Sequence, residues 1–228
     1  MEAVIPVPAA PTLPVEGTTQ VFPVRRIYCI GRNYADHARE MGMDPEREPP
    51  FFFGKPHDTV VPGGGDIAYP PLTSNLHHEV ELVVALATGG RDIPASEALG
   101  HIYGYAVGID LTRRDLQAKA KDKGQPWDTA KGFDQSAPVS SILPLAAGGH
   151  FDRGAIWLSV NGVEKQRGDL SQMIWSVPEV IAHISRFMAL APGDLIFTGT
   201  PAGVGPILRG DRVRCGIEGL GELEIVLV

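Results

Sequence analysis

Two carboxylates in this chain run directly into a strand that has no other charge. His77-His78-Glu79-Val80-Glu81 continues as Leu82-Val83-Val84-Ala85-Leu86, an apolar, β-branched run of strand character. Residues two apart on a strand share a face, so Glu79 and Glu81 point the same way as Val83 and Ala85. A second strand candidate, residues 104–110, puts Asp110 on the face of Gly104, Ala106 and Gly108, where small residues leave room for a ligand. Three carboxylates brought together repel one another, and their desolvation is costly unless a cation neutralises them. All-oxygen ligation suits Mg²⁺, Mn²⁺ or Ca²⁺. Glu79, Glu81 and Asp110 are therefore read as a divalent-metal site. The spacing alone fits a solvated strand mouth equally well, with Asp110 capping a turn, because E-x-E is a weak signal.

The composition narrows the classes of function. Over 228 residues the chain is 43% hydrophobic and 21% charged, enough for one substantial core. A formal charge of −7 argues against a nucleic-acid surface, which needs clustered Lys and Arg, and leaves a small molecule or a protein as partner. The sequence shows no signal-peptide pattern and no apolar run of membrane-spanning length, so no membrane partner and a cytoplasmic location are expected. Cys29 and Cys215 form no C-x-x-C pattern, which fits reduced, packed thiols.

Residues 1–24, with five prolines from Pro6 to Pro23, hold no helical period and read as an extended arm, followed by a single α+β domain over residues 25–228. Residues 26–30 read as a buried strand, and residues 32–41 as a polar helix that Gly42 would stop. On that helix His37 and Glu40 are three apart and share a face, so the carboxylate could fix the ring for proton abstraction from water; an exposed i,i+3 contact is the alternative. Charges and prolines over residues 43–50 predict mobile connections and a lid. Past Asp110, Thr112 and Asp115 have capping-box spacing, with Arg114, Gln117 and Lys121 along one side of the helix they would open. Residues 124–136 read as a hairpin-like return carrying Lys131 in an otherwise small, uncharged stretch, either a solvated loop lysine or a site residue.

Asn161-Gly162 between alternating apolar residues predicts a hairpin. Residues 177–190 form an amphipathic helix pattern with Val177, Val180, Ile181, Ile184, Phe187 and Met188 on one stripe. Residues 195–197 read as a buried strand running into Thr198-Gly199-Thr200-Pro201-Ala202-Gly203-Val204-Gly205, a turn whose backbone N–H groups and hydroxyls suit a carboxylate.

Taken together, Gly31-Arg32-Asn33-Tyr34-x-x-His37, Phe53-x-Lys55-Pro56, His78-Glu79-x-Glu81-Leu82, Gly108-x-Asp110-x-Thr112-x-Arg114-Asp115-x-Gln117, Lys131-x-Phe133-Asp134 and the turn from Thr198 to Gly205 resemble the fumarylacetoacetate hydrolase family. Within it the chain is similar to the single-domain acylpyruvase and fumarylpyruvate hydrolase branch. The resemblance implies a β-rich mixed β-roll or sandwich, a homodimer, and one Mg²⁺ or Mn²⁺ per subunit on Glu79, Glu81 and Asp110. It also implies a base pair at His37 and Glu40, an enolate-stabilising Lys131, and substrate contacts from Arg32, Arg114, Gln117 and Thr200. The activity it implies is cleavage of a 2,4-dioxo acid, with fumarylpyruvate the first choice of substrate. Oxaloacetate decarboxylation, isomerisation or decarboxylation of related ring-fission products, and a non-catalytic metal-binding ligand sensor remain as rivals.

Overall fold

The strand Val80–Leu86 is buried along its whole length, and that requires cover on both of its faces. The computed structural model describes residues 3–40 and 48–228. Val80–Leu86 sits in a mixed sheet ordered Phe51–Lys55, Arg26–Gly31, Asp194–Phe197, Val80–Leu86, Ile102–Ile109, Ala137–Val139, Val60–Pro62, with Leu143–Pro144 also pairing on Ile102–Ile109. Asp194–Phe197 runs parallel to Arg26–Gly31 and antiparallel to Val80–Leu86. The sheet curls into a half-barrel, and strands outnumber helices as the sequence pattern predicts.

The alternation of side chains sorts the core into two layers. Val80, Leu82, Val84 and Leu86 join a cluster with Ile156, Leu158, Cys215 and Ile225 of a second, five-stranded sheet ordered Val163–Asp169, Ala155–Val160, Arg212–Ile217, Gly221–Leu227, Gly65–Ile67. Val83 and Ala85, on the opposite face, join Ile27, Cys29, Ala106, Leu195 and Phe197. Each fully buried Val or Leu contributes about 1.5–3 kcal/mol. Glu81 shares the face of Val83 and Ala85, as period-two alternation requires. Among the described residues no helix is long and apolar enough to cross a membrane.

Residues 3–11 of the proline-rich start carry no regular secondary structure, but the remainder of the expected arm does. Thr12–Pro14 and Val21–Pro23 pair as a short antiparallel hairpin, and Leu13, Val15, Phe22 and Val24 are buried against the second face of the large sheet. These scattered apolar residues show no strand-length period in the sequence because the hairpin places only one of them at a time on the core. The Asn161-Gly162 turn is present, with φ of 51° and 78° at the two residues, joining Ala155–Val160 to Val163–Asp169. The amphipathic helix runs Val177–Phe187 and buries Val177, Val180, Ile181 and Ile184. Phe187 and Met188 are exposed instead of core-facing: the helix ends at Phe187, and Met188 has already turned to extended backbone.

Three local expectations are corrected. Thr112 belongs to the short strand Thr112–Arg113 and does not cap the helix Arg114–Asp122; its hydroxyl donates to Asp110 O, and Asp115 accepts from Thr73 Oγ1 and Ser74 N. The return through residues 124–136 is no hairpin but carries a helical turn, Asp128–Lys131. The small face of Ile102–Ile109 holds no ligand. A Cβ on Gly108 would lie 2.6 Å from Val83 Cγ2 and 2.7 Å from the Phe197 ring, and one on Gly104 would clash with the Leu143 carbonyl. These glycines admit neighbouring chain, and the open space lies beyond them at Asp110.

Gly104→Ala should therefore lower stability by about 1–3 kcal/mol, since backbone must move to accommodate the methyl group. Gly100→Ala, where a Cβ meets nothing within 4 Å, should change it by less than about 0.5 kcal/mol. Urea denaturation of the two variants measures the contrast; equal losses would show that close packing at Gly104 is not limiting.

Candidate metal centre

Glu79 lies in the break between Leu76–His78 and Val80–Leu86, and Asp110 follows the last residue of Ile102–Ile109. The Asp110 N–H donates to Glu79 O at 2.8 Å, so the backbone ties the two residues together. Carboxylate oxygens of Glu79, Glu81 and Asp110 all lie within 4.8 Å of one another, and all three residues are buried. That crowding is the strand-mouth cluster read from the sequence, but it is not solvated.

Cationic side chains compensate for it. Lys131 Nζ donates to Glu79 Oε2 at 2.8 Å and to Asp110 Oδ2 at 2.6 Å. Arg114 donates to Glu79 Oε1 and, at 2.6 Å, to Gln117 Oε1. Lys55 Nζ donates to the carbonyls of Leu111 and Lys131 and stands 2.8 Å from Asp110 Oδ1, a charge contact without hydrogen-bond geometry. Asp110 Oδ1 is thus buried without a donor. An orphaned carboxylate oxygen, with two further carboxylates converging on it, is the donor set of a hard divalent cation, and these residues fit one.

Charge balance separates the two glutamates. Burial would raise the Glu79 carboxyl, but Lys131 and then Arg114 hold it well below the usual carboxylate range. Glu81 goes the other way, pushed well above that range by burial and then by the charges of Asp110 and Glu79, although Gly199 N–H donates to its Oε2 at 2.7 Å. The Lys131 ammonium is opposed by burial yet ends raised, held by Asp110 and Glu79. His77, which accepts from Arg114 Nε, is pushed down to about 4 by burial and then by that guanidinium.

Above the triad the pocket is lined by Arg32, His37, Arg114, Gln117, Lys121, Lys131 and Thr200, with Phe51, Phe53 and Trp127 on one wall. The polar helix is Ala35–Glu40. Its His37 is buried, and His37 Nδ1 lies 3.2 Å from Oε2 of Glu40, so the contact has a buried histidine end and an exposed carboxylate end. Glu40 itself accepts from Gly203 N–H. The proposed stop at Gly42 and most of the 43–50 connection fall outside the described residues. Of the residues expected to bind metal, bind substrate or act as acid, base or enolate stabiliser, all but Glu40 line this one pocket, and Glu40 reaches it through His37.

The glycine-rich turn does hold carboxylates, but they are the protein's own: Glu81 at Gly199 N–H and Glu40 at Gly203 N–H. Both glycines have positive φ, 97° and 93°, and a Cβ on Gly199 would press on Asn33 Cβ at 2.6 Å. Asn33 in turn donates to the carbonyls of Trp175 and Thr198 and accepts from Trp175 N.

One residue of this network escapes sequence reasoning. Gln166, fully buried, accepts from Val80 N at 3.1 Å, meets His78 Nδ1 at 2.9 Å, and donates to Thr200 Oγ1 and Pro201 O at 2.8 Å each. The hairpin carrying it looks polar and solvated. A bulge between Leu158 and Ser159 shifts the register so that Gln166, not Lys165, opposes Leu158 and faces inward. No single-sequence signal marks that bulge.

Comparison with known proteins places the fold and motifs together. The model of the fumarylacetoacetate hydrolase C-terminal domain matches residues 26–228. The chain belongs to the fumarylacetoacetate hydrolase family. It is 45% identical over 185 residues to a fumarylpyruvate hydrolase of Ralstonia sp, covering 81% of this chain and 96% of the relative. It is equally similar, 46% over 199 residues, to the mitochondrial oxaloacetate tautomerase FAHD1 of Arabidopsis thaliana, covering 87% of this chain and 89% of that one. The crystal structure of fumarylpyruvate hydrolase from Pseudomonas aeruginosa, in complex with Mn²⁺ and pyruvate, superposes with a TM-score of 0.97 at 52% identity over 100% of this chain and 99% of the other.

The family's carboxylate cluster gives a pH signature in chelator-treated protein. Glu81 has a folded pKa raised above its unfolded value of 4.5. Its neutral form is favoured by folding, so its contribution is complete below that value and is lost as pH rises through the raised pKa. Stability should fall with pH across that window by up to about 1.4 kcal/mol per unit, one proton's worth. Glu81→Gln should flatten this slope; an unchanged slope in denaturation curves would assign it to another group.

Proposed function

We propose that the chain is a metal-dependent carbon–carbon hydrolase of 2,4-dioxo acids whose substrate is fumarylpyruvate, cleaved to fumarate and pyruvate. The observation that carries the reading is a buried histidine, His37, which opens onto the same pocket as the carboxylate triad and is held from behind by the more exposed Glu40 carboxylate. Hydrolysis needs a base for water, whereas loss of CO₂ from a 2-oxo acid needs mainly an electron sink. The Mn²⁺ and pyruvate in the Pseudomonas aeruginosa neighbour lend support, because pyruvate is the product half shared by every acylpyruvate.

Glu79, Glu81 and Asp110 would hold one Mg²⁺ or Mn²⁺, which when bound supplies a Lewis acid to the 2-oxo acid end of the substrate. Arg114 fixes Gln117 through its 2.6 Å bond, and with Arg32 and Thr200 these residues orient the substrate over the triad. Gln166 holds the Thr200 hydroxyl in place. His37, oriented by Glu40, takes a proton from the water that attacks the C4 carbonyl. As the C3–C4 bond breaks, the electron pair passes to the pyruvate half, and the Lys131 ammonium, already fixed between two carboxylates, meets the developing enolate charge. Phe51, Phe53 and Trp127 keep bulk water from that wall.

Oxaloacetate tautomerisation or decarboxylation is the second reading, favoured by the Arabidopsis thaliana relative. An ultraviolet assay of fumarylpyruvate, maleylpyruvate, acetylpyruvate and oxaloacetate with added Mg²⁺ or Mn²⁺ separates the two. Fumarylpyruvate should have the highest kcat/KM; a higher value for oxaloacetate would overturn the proposal. His37→Ala should slow fumarylpyruvate hydrolysis by about 10²- to 10⁴-fold and oxaloacetate breakdown much less, with metal content checked in both. Equal losses would mean that His37 positions substrate and takes no proton from water. Lys131→Met should lower kcat far more than it raises KM, because its charge is needed most when the enolate forms. A rise in KM alone would reduce Lys131 to a binding group.

A further inference from the structure

On the pocket floor Glu79 and Asp110 are met by three cationic side chains, Lys131, Arg114 and Lys55, while Glu81 accepts from Gly199 N–H, so three cations already stand beside three carboxylates. Arg32 and Lys121 line the same pocket and are surplus to that balance. Among the described residues neither has an acidic partner. Each rests on an aromatic ring instead: the Arg32 guanidinium is 5.0 Å from the Phe51 centroid, and Lys121 Nζ is 5.3 Å from that of Trp127. The two rings meet edge-on with centroids 5.5 Å apart, so one aromatic wall carries both charges. A ring face holds a cation in place without neutralising it. Arg32 also sits at φ 60°, a left-handed conformation that a non-glycine residue keeps only when its surroundings enforce it. Burial, then the neighbouring charges of Arg114 and Arg32, pull the Lys121 pKa below its ordinary value.

We propose that Arg32 and Lys121 form a second anion site, which receives the far carboxylate of a substrate bearing a carboxylate at each end. The proposal rests on the reading above for which end of the substrate faces the triad, and it deepens that reading: the acyl group must end in an anion. An acyl group ending in a methyl would leave both cations half-buried and unpaired, so the selection acts by penalty as well as by attraction. Arg offers a planar fork for one carboxylate and Lys a flexible point charge, which together tolerate acyl groups of somewhat different length.

The test uses two unreactive ligands that differ at the far end alone, 2-oxoheptanedioate and 2-oxoheptanoate. Neither has a C4 carbonyl to hydrolyse. Calorimetric titration of the Mn²⁺-loaded protein should give at least about ten-fold tighter binding of the dianion, the scale of one charge-assisted hydrogen bond. Lys121→Gln and Arg32→Gln should each erode that preference, the double variant should reduce it to within about three-fold, and Lys121→Arg should restore most of it. Equal affinities for the two ligands in the unmodified protein, a comparison that needs no variant to fold, would overturn the proposal. So would a preference that survives the double variant. Failure to hydrolyse any acylpyruvate, with the binding preference intact, would count against the proposed reaction and in favour of the anion pair.

Discussion

Glu79, Glu81 and Asp110 cannot share a buried space on their own, and much of the structure is an answer to that repulsion. At the separations seen here, within 4.8 Å, like charges out of water interact strongly. Lys131 answers two of them at once, and Arg114 the outer side of Glu79. Lys55, at the end of Phe51–Lys55, braces the Lys131 carbonyl while facing Asp110. Glu81, answered only by a backbone N–H, is the carboxylate whose charge remains least favourable. A divalent cation bound here would meet its least satisfied oxygens on Glu81 and on the Asp110 oxygen that faces Lys55 without a hydrogen bond.

The glycine-rich turn after Asp194–Phe197 extends this constraint to the chemistry. Its N–H groups at Gly199 and Gly203 hold one carboxylate from the floor and one from the His37 pair, so a single rigid segment registers both parts of the pocket. Asn33 locks the turn from the side of the Ala35–Glu40 helix, and Gln166 locks it from the second sheet. Half a dozen hydrogen bonds between segments distant in sequence thus fix groups that must act together. Apart from the exposed Gly203–Glu40 contact these bonds lie in the interior, where losing one partner leaves another buried and unsatisfied, at about 1–3 kcal/mol each.

Much of this was legible in the chain itself. The E-x-E start of an apolar strand, the Asn161-Gly162 hairpin and the buried stripe of Val177–Phe187 follow from period and local turn chemistry, which act over a few residues and need no partner to be known. His37 and Glu40 three apart, and Arg114, Gln117 and Lys121 along one helix side, are likewise matters of helical spacing, and the pocket gathers all of them but Glu40, which meets it through His37. The family motifs tie these separate signals to one site.

What only the tertiary structure decided concerns the environment of each group. The same small residues that suggested ligand space at Gly104 and Gly108 receive Leu143, Val83 and Phe197, because a glycine records close approach without naming what approaches. Whether Lys131 is a solvated loop charge or a buried neutraliser depends on Glu79 and Asp110 lying 52 and 21 residues away along the chain. Gln166 faces inward because of one bulge, and Leu13 and Phe22 become core because a sheet face was waiting for them. Local spacing determines which side chains can point together. Which charges are buried, and against what, is set by contacts between strands that only folding brings side by side.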